Sequence, residues 1–359
     1  MRIALLSTPF IRVPPAGYGG TELFCSELAE ELHARGHRVT LFTTGDSASS
    51  CERRWLYPRP AWPPSAYDDI NHVAWAFSEI ARGDFDVVHL NSAVGLPLGR
   101  QLKAPVVYTI HHHRIEAMSR LYARHARATY VAISGRQLEL EIPFEDAAVI
   151  HHGLAAERYP SSRRDQGYLL HLGRYAPEKG THLAIDAARM AGLPLLLAGR
   201  VHEQDAAYFA AEVAPRLGRP GVEELGEAGH ARKVALLRGA RAVLLPLQWE
   251  EPFGLVAVEA MLCGTPVLGF PRGSFPEIVE EGLTGFLAPA DDLEALARLA
   301  AGLARFDRVA CARRARERFS IGRMTGAYEA LYARVAGRRA PPRTSVTAPA
   351  PSARSASGR

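Results

Sequence analysis

Residues 251–259, EPFGLVAVE, set two carboxylates, Glu251 and Glu259, on either side of seven residues that read as the start of a helix. An apolar run, 241–246, ends at Pro246 just upstream, and Pro252 stands where a first helical turn tolerates its missing N–H. The amides of Phe253, Gly254 and Leu255 then lie at the positive end of that helix, a place suited to an anion or to sugar oxygens. Carboxylates before and along the helix accept hydrogen bonds from vicinal hydroxyls, one set on a sugar and one on a ribose. Spacing alone equally admits a plainer account, in which Glu251 is a helix-terminal charge favoured by the dipole and Glu259 an ordinary surface residue.

Two cations stand in a second strand-to-helix loop, Arg174 and Lys179 in HLGRYAPEKG (171–180). An Arg fork and a Lys point charge facing one crevice are what a diphosphate leaving group needs when no metal supplies positive charge, although solvent-facing charges would look the same in sequence. Near the start, Gly17, Gly19 and Gly20 fall between a strand and a helix, where a glycine turn lets backbone approach a phosphate. The turn lacks a full GxGxxG and by itself could be a plain turn. Histidines gather at His111, His112 and His113 and again at His151 and His152. Consecutive histidines at a strand end point in different directions and no nearby carboxylate completes a zinc-ligand spacing, so no metal is expected.

The elements that must hold these residues alternate short β-rich apolar runs with segments of helical period, the pattern of parallel sheets joined by crossover helices. Strands are expected near 2–7, 38–44, 85–90, 105–110, 129–133 and 147–150, then near 168–172, 194–198, 241–246 and 265–270. Helices are expected near 21–35 and 67–82, the latter with Ile70, Val73, Ala74, Phe77 and Ile80 on one face, then near 180–191, 203–217, 229–239 and 254–263. Three more, near 291–303, 307–318 and 322–336, close the ordered chain. Apolar periodicity stops at 156–167, which marks a linker between two α/β halves. A ligand crevice is then expected between the carboxyl ends of two sheets.

With these motifs on the page, the chain resembles glycosyltransferase family 4. EPFGLVAVEAMLCGTPV is similar to the E-x7-E motif of retaining GT-B glycosyltransferases, GR followed by EKG matches the family's diphosphate loop, and GGTE with the later GH resembles its acceptor domain. The resemblance implies a GT-B fold, two Rossmann-like domains facing each other across a cleft, with a C-terminal helix crossing back to the first. The expected divisions are 1–157 for the acceptor domain, 158–167 for the linker, 168–320 for the donor domain, 321–336 for the last helix and 337–359 for a disordered tail. It also implies roles. Glu251 meets the donor sugar, Glu259 the ribose, the amides of Phe253, Gly254 and Leu255 hold the sugar, Arg174 and Lys179 bind the diphosphate, and Gly20 lies near it. His111, in VVYTIHHH, matches the active-site His that touches the transferred sugar, with a structural His as the alternative. His152 in IHHG stands where the family commonly has Asn. Ser134 matches a family Ser but suits a helix N-cap equally, and Glu277, in PEIV, reads as structural or peripheral. The match runs over about 1–335, strongest at 168–290.

The activity implied is retaining transfer of a hexose from a UDP- or GDP-sugar to a hydroxyl acceptor such as a glycan, lipid or small glycoside, without metal or other cofactor. A GT-B nucleotide-sugar epimerase and a non-catalytic nucleotide-sugar-binding module are the alternatives. Acceptor contacts are expected in loops 8–18, 45–66 and 112–122, where Trp55, Trp62, Tyr67 and Trp75 could stack on a ring or pack in the core.

Bulk composition fits this reading. A 359-residue chain suits two domains of roughly 150 to 180 residues, and 47% hydrophobic with 23% charged residues is the balance of a globular protein able to bury a core. The net charge of +5 raises the question of a nucleic-acid partner, but residues 337–359 alone carry five Arg and no acid, so the body is formally neutral and no nucleic acid is expected. That tail reads as a solvated segment, with weak peripheral attraction to anionic lipid as the alternative. Cys25, Cys51, Cys263 and Cys311 lack CxxC or zinc spacing and read as reduced core thiols, and the opening MRIALLSTPF is too short in apolar run for a signal peptide or membrane span, so the expected location is cytoplasmic.

Overall fold

The computed structural model describes residues 1–337 apart from Tyr18 and Arg219; the disordered tail expected at 337–359 lies, but for Gly337, outside them. Two fully parallel sheets follow one another along the chain. The first contains β1 (Arg2–Leu6), β2 (Arg38–Phe42), β3 (Glu52–Arg54), β4 (Val87–Leu90), β5 (Val106–Ile110), β6 (Thr129–Ala132) and β7 (Ala147–Val149), in the order β3-β2-β1-β4-β5-β6-β7. The second contains β8 (Leu169–Leu172), β9 (Leu195–Ala198), β10 (Val222–Glu224), β11 (Ala242–Leu245), β12 (Val267–Gly269) and β13 (Gly285–Leu287), in the order β10-β9-β8-β11-β12-β13.

Central strands such as β1, RIALL, and β11, AVLL, are buried on both faces, which is why they read as unbroken apolar runs. Each sheet carries a hydrophobic core on both faces. Three edge strands were not expected from the sequence, β3, β10 and β13. Each has three residues, and ERR and VEE offer no apolar run because an edge half in water needs none. Helix Ala66–Arg82 buries His72, Val73, Ala76, Phe77 and Ile80, whereas Ile70 is 50% exposed and Ala74 is exposed. The buried stripe is therefore rotated from the one expected: His72, a polar residue, takes a core position. The helix expected at 203–217 runs through those residues, opening with a 3-10 turn and carrying a π segment, Phe209–Val213, within it.

The chain crosses between the halves twice, and the two crossings pair. Leu154 N–H donates to the Phe319 carbonyl at 2.9 Å, and Ile321 N–H to the Leu154 carbonyl at 2.9 Å. Helix Ile321–Gly337 thus returns to the first half and packs on helix Gly20–Ala34, with Met324, Tyr328, Leu331, Tyr332 and Val335 joining the core of Phe24, Cys25 and Leu28. Its tyrosines reach under the sheet: His89 Nδ1 lies 2.6 Å from the Tyr332 hydroxyl, and Thr109 Oγ1 lies 2.9 Å from that of Tyr328. This is a GT-B architecture, two Rossmann-like domains with the last helix crossing back. Among the described residues no helix is long and apolar enough to cross a membrane.

Candidate active site

The loop after β11 is fixed from several sides before it reaches the helix Leu255–Leu262. Gln248 N–H donates to the Glu178 carbonyl at 2.9 Å, which ties this loop to the one bearing Lys179, and Ser274 N–H donates to the Glu251 carbonyl at 2.9 Å. Gly254 caps the helix in the left-handed region at φ 87°, where a Cβ would also lie 2.8 Å from the Phe275 ring, so glycine is required on both counts. In this frame Glu251 Oε2 accepts from Lys179 Nζ at 2.5 Å and from Trp249 Nε1 at 2.9 Å, while the same ammonium stands 4.6 Å from the Trp249 ring centroid. Lys179 ends a short 3-10 turn, Pro177–Lys179, and Arg174, on the same loop, pairs with Glu178 and lies 3.4 Å from Asp205. Both cations point to carboxylates, and neither is fully solvated.

Glu259 is not a surface residue. Its side chain is 3% exposed, and Oε1 accepts from the Tyr159 hydroxyl at 2.9 Å and from Lys233. Burial and the adjacent carboxylate push the Tyr159 phenol up, so it stays a donor. Both contacts fall on Oε1; Oε2 accepts nothing from the described residues.

The first half meets this loop at its own strand ends. Gly20 opens helix Gly20–Ala34, and a Cβ there would lie 3.4 Å from Leu255 of the opposite half; at Gly17 it would lie 2.7 Å from Glu227. Backbone therefore faces the opposite half where a side chain would fill the gap. The three histidines after β5 diverge, each to its own partner. His111 Nε2 lies 2.8 Å from Asn91 Oδ1, with its ring stacked on His152 at 5.5 Å and tilted against Phe24. His112 Nε2 meets the Tyr122 hydroxyl at 2.8 Å, and the His113 ring meets Trp249 edge-on at 5.1 Å, across the cleft. Burial first, then the neighbouring imidazoles His152, His89 and His112, hold His111 well below the usual histidine range, so it presents a neutral ring. Burial likewise lowers His152 to about 3; its Nδ1 has no partner, and its ring packs against Phe253 and Phe24.

Glu277 takes a larger part than a peripheral residue would. Its carboxylate accepts from the Gly135 and Arg136 amides, at 2.8 and 2.6 Å, and lies 3.2 Å from His151 Nε2, so a second-half side chain holds a first-half helix start. Ser134 caps that helix, Gly135–Leu140, its Oγ accepting from Gln137 N–H at 3.0 Å. An Arg136–Glu250 pair at 2.9 Å adds a further bridge between the halves. Trp249 was visible beside Glu251 in WEEPFG but carried no expected role, while Tyr159 and Lys233 lie far from Glu259 in sequence and had no signal. Of the four aromatics near loop 45–66, Trp55, Trp62 and Tyr67 are 45%, 64% and 80% exposed, whereas Trp75 packs on Phe42 and His72. Among the described residues, no group of three His, Cys, Asp or Glu side chains is placed to hold a metal ion.

A model of Glycosyltransferase Family 4 matches residues 18–158, and one of Glycosyl transferases group 1 matches residues 157–318. The chain belongs to glycosyltransferase family 4. This family 4 glycosyltransferase is 28% identical over 343 residues to the phosphatidyl-myo-inositol mannosyltransferase of Mycobacterium tuberculosis, covering 84% of this chain and 86% of that one. The solved structure of AviGT4, a glycosyltransferase involved in avilamycin A biosynthesis, superposes with a TM-score of 0.73 at 27% identity, covering 94% of this chain and 98% of that one. Sucrose-phosphate synthase from Thermosynechococcus elongatus shares the fold, with a TM-score of 0.77 at 22% identity and coverage of 93% and 98%.

Proposed function

We propose that the enzyme transfers a hexose from a UDP- or GDP-sugar to an acceptor hydroxyl with retention at the anomeric carbon, without a metal ion. The observation that carries this is the cluster at the cleft: Glu251 held by Lys179 and Trp249 at a helix start, with Arg174 on the same loop as Lys179. In this reading the diphosphate displaces carboxylates from both cations. Lys179 leaves Glu251 and Arg174 leaves Glu178, and the freed Glu251 carboxylate turns to sugar hydroxyls. Glu259 Oε2 accepts from the ribose. The amides of Phe253, Gly254 and Leu255 hold the sugar, and the bare backbone at Gly20 admits the diphosphate.

The bond between the anomeric carbon and the diphosphate oxygen breaks as the acceptor oxygen approaches from the same face. The acceptor's proton passes to a phosphate oxygen of the leaving group, and the new glycosidic bond forms on the side the leaving group vacates. Arg174 and Lys179 stabilise charge growing on the diphosphate, which lowers the barrier because the cations are already in place. His111, neutral and held by Asn91, contacts the transferred sugar without adding a charge.

The mycobacterial relative's name, with its inositol lipid and its mannosyl group, supports starting with mannosyl donors and inositol-type acceptors. A panel of UDP-, GDP- and ADP-sugars scored by thermal shift identifies the donor, since a ligand that binds only the folded state raises the transition. Arg174→Ala and Lys179→Ala should each lower turnover on the order of a hundredfold or more while the fold survives. Turnover near wild type in either variant, or sugar released from the donor equally well without any acceptor, would sink the reading.

A further inference from the structure

Because every strand of the first sheet runs the same way, its carboxyl ends deliver Asn91 and His111 to the cleft and its amino ends lie at the opposite edge. At that far edge a cavity of 680 Å³ opens between the 3-10 segment Ala93–Gln101, the entries to β5 and β6, and the end of helix Ile321–Gly337. Its ionisable lining consists of Arg100, Lys103, Arg127 and His125, with no carboxylate among the described lining residues.

Two other cations near this edge are neutralised. Arg2 pairs with Asp84 and Asp86, and Arg334 with Asp146. Arg100, by contrast, donates only to the Arg124 carbonyl, at 3.2 Å, and neither Lys103 nor Arg127 has an ion-pair partner among the described residues. His125 adds a second, independent sign. Its Nδ1 is buried and unpartnered, which is rare for a buried polar atom unless water or a ligand serves it. Burial, then the charges of Arg100 and Arg124, lower the pKa of this ring, so the local field already disfavours another positive charge. Like charges around one concavity focus a positive potential that an anion relieves.

Residues 338–359 offer no acidic side chain for that role, since they contain five Arg and no Asp or Glu. Two guanidinium forks and an ammonium suit a tetrahedral oxyanion better than a planar carboxylate, because a phosphate offers oxygens to several donors at once. We propose that this cavity binds a phosphate group, at a site separate from glycosyl transfer, through Arg100, Lys103 and Arg127 with His125 beside it.

The test compares the full-length protein with the triple variant Arg100→Ser, Lys103→Ser, Arg127→Ser, whose three side chains are exposed and bear on no core contact. One arm titrates inorganic phosphate by calorimetry with UDP and GDP in excess to occupy the cleft. The other measures flotation with phosphatidylcholine vesicles made with and without phosphatidylglycerol. The wild type should bind in at least one arm, and the variant should bind on the order of tenfold more weakly there, with its turnover intact. Binding of inorganic phosphate marks a free phosphate ligand, and flotation that needs phosphatidylglycerol marks a lipid headgroup. Equal binding by the two proteins in both arms overturns the site. Should the triple variant lose its unfolding transition, Lys103→Glu alone gives the same comparison.

Discussion

Trp249 illustrates what a single residue can do at this cleft. In the mechanism proposed above Lys179 turns to a diphosphate, and Glu251, with its side chain only 13% exposed, then keeps one hydrogen-bond donor from its present pair, the indole N–H. Trp249→Phe keeps the ring face for Lys179 and the edge contact with His113 but removes that donor. A hydrogen bond to a charged group contributes about 1.5 to 3 kcal/mol, so kcat should fall roughly tenfold to a hundredfold while the melting temperature barely moves. Steady-state kinetics with the identified donor, alongside a melt of both proteins, decide the matter; an unchanged kcat refutes it. The buried histidines give a second residue-scale prediction. His152 and His89 are lowered to about 3 by burial, below the unfolded value of about 6.5, so each is neutral when folded and takes up a proton on unfolding at lower pH. Their contribution is therefore full above the unfolded pKa and is lost as pH falls from there toward 3. Stability should drop by about 1.4 kcal/mol per pH unit for each such histidine once pH is well below 6.5. His152→Asn should remove one histidine's share of that slope, as read from urea denaturation at pH 7, 6 and 5 (conditions chosen to span about two units below neutrality).

At the scale of elements, the short helix Gly135–Leu140 depends on a carboxylate from the other half. Ser134 caps it locally through Gln137, yet its first amides, on Gly135 and Arg136, point to Glu277, some 140 residues on in sequence. Glu277→Ala leaves those two amides and His151 without their acceptor. The expected loss is about 1 to 3 kcal/mol of stability together with a lower kcat/KM, because the first half would be held less firmly against the loop bearing Glu251. Denaturant unfolding and kinetics measured on the same preparation test both parts, and Glu277→Gln, which keeps an acceptor, should recover part of each. A loss of stability confined to the second half would show that Glu277 serves its own helix instead.

For the whole molecule, the return of the last helix matters most. Tyr328 and Tyr332 are fully buried, and their hydroxyls serve Thr109 and His89 in the first sheet, so the first half is incomplete until the final residues arrive. A chain ending at Ser320 would expose the faces of Phe24 and Leu28 and leave His89 Nδ1 without the Tyr332 hydroxyl, and should be recovered aggregated or without a cooperative melt. A soluble truncated protein with a wild-type transition would mean that the helix is dispensable for folding. The same crossing explains why the two halves meet closely. Phe319, Leu154 and Ile321 pair at the hinge, and Glu277, Glu250 and Trp249 reach from one half to the other near the cleft.

The amino-acid sequence alone determined the parallel α/β class, most helix positions, the loops bearing Glu251, Arg174 and Lys179 and the helix bearing Glu259, because buried parallel strands and strand-to-helix junctions leave local signatures. It did not determine which face of helix Ala66–Arg82 is buried, since a polar His72 takes a core position that periodicity assigns to an apolar residue. Nor did it show β3, β10 and β13, whose pairing is set by their neighbours and not by their own composition. The partners of Glu259, Glu277 and Trp249 were decided by the tertiary structure for one physical reason. Tyr159 with Glu259, Gly135 with Glu277 and His113 with Trp249 each join residues that are distant along the chain, and nothing in a local window records which of them will be brought together.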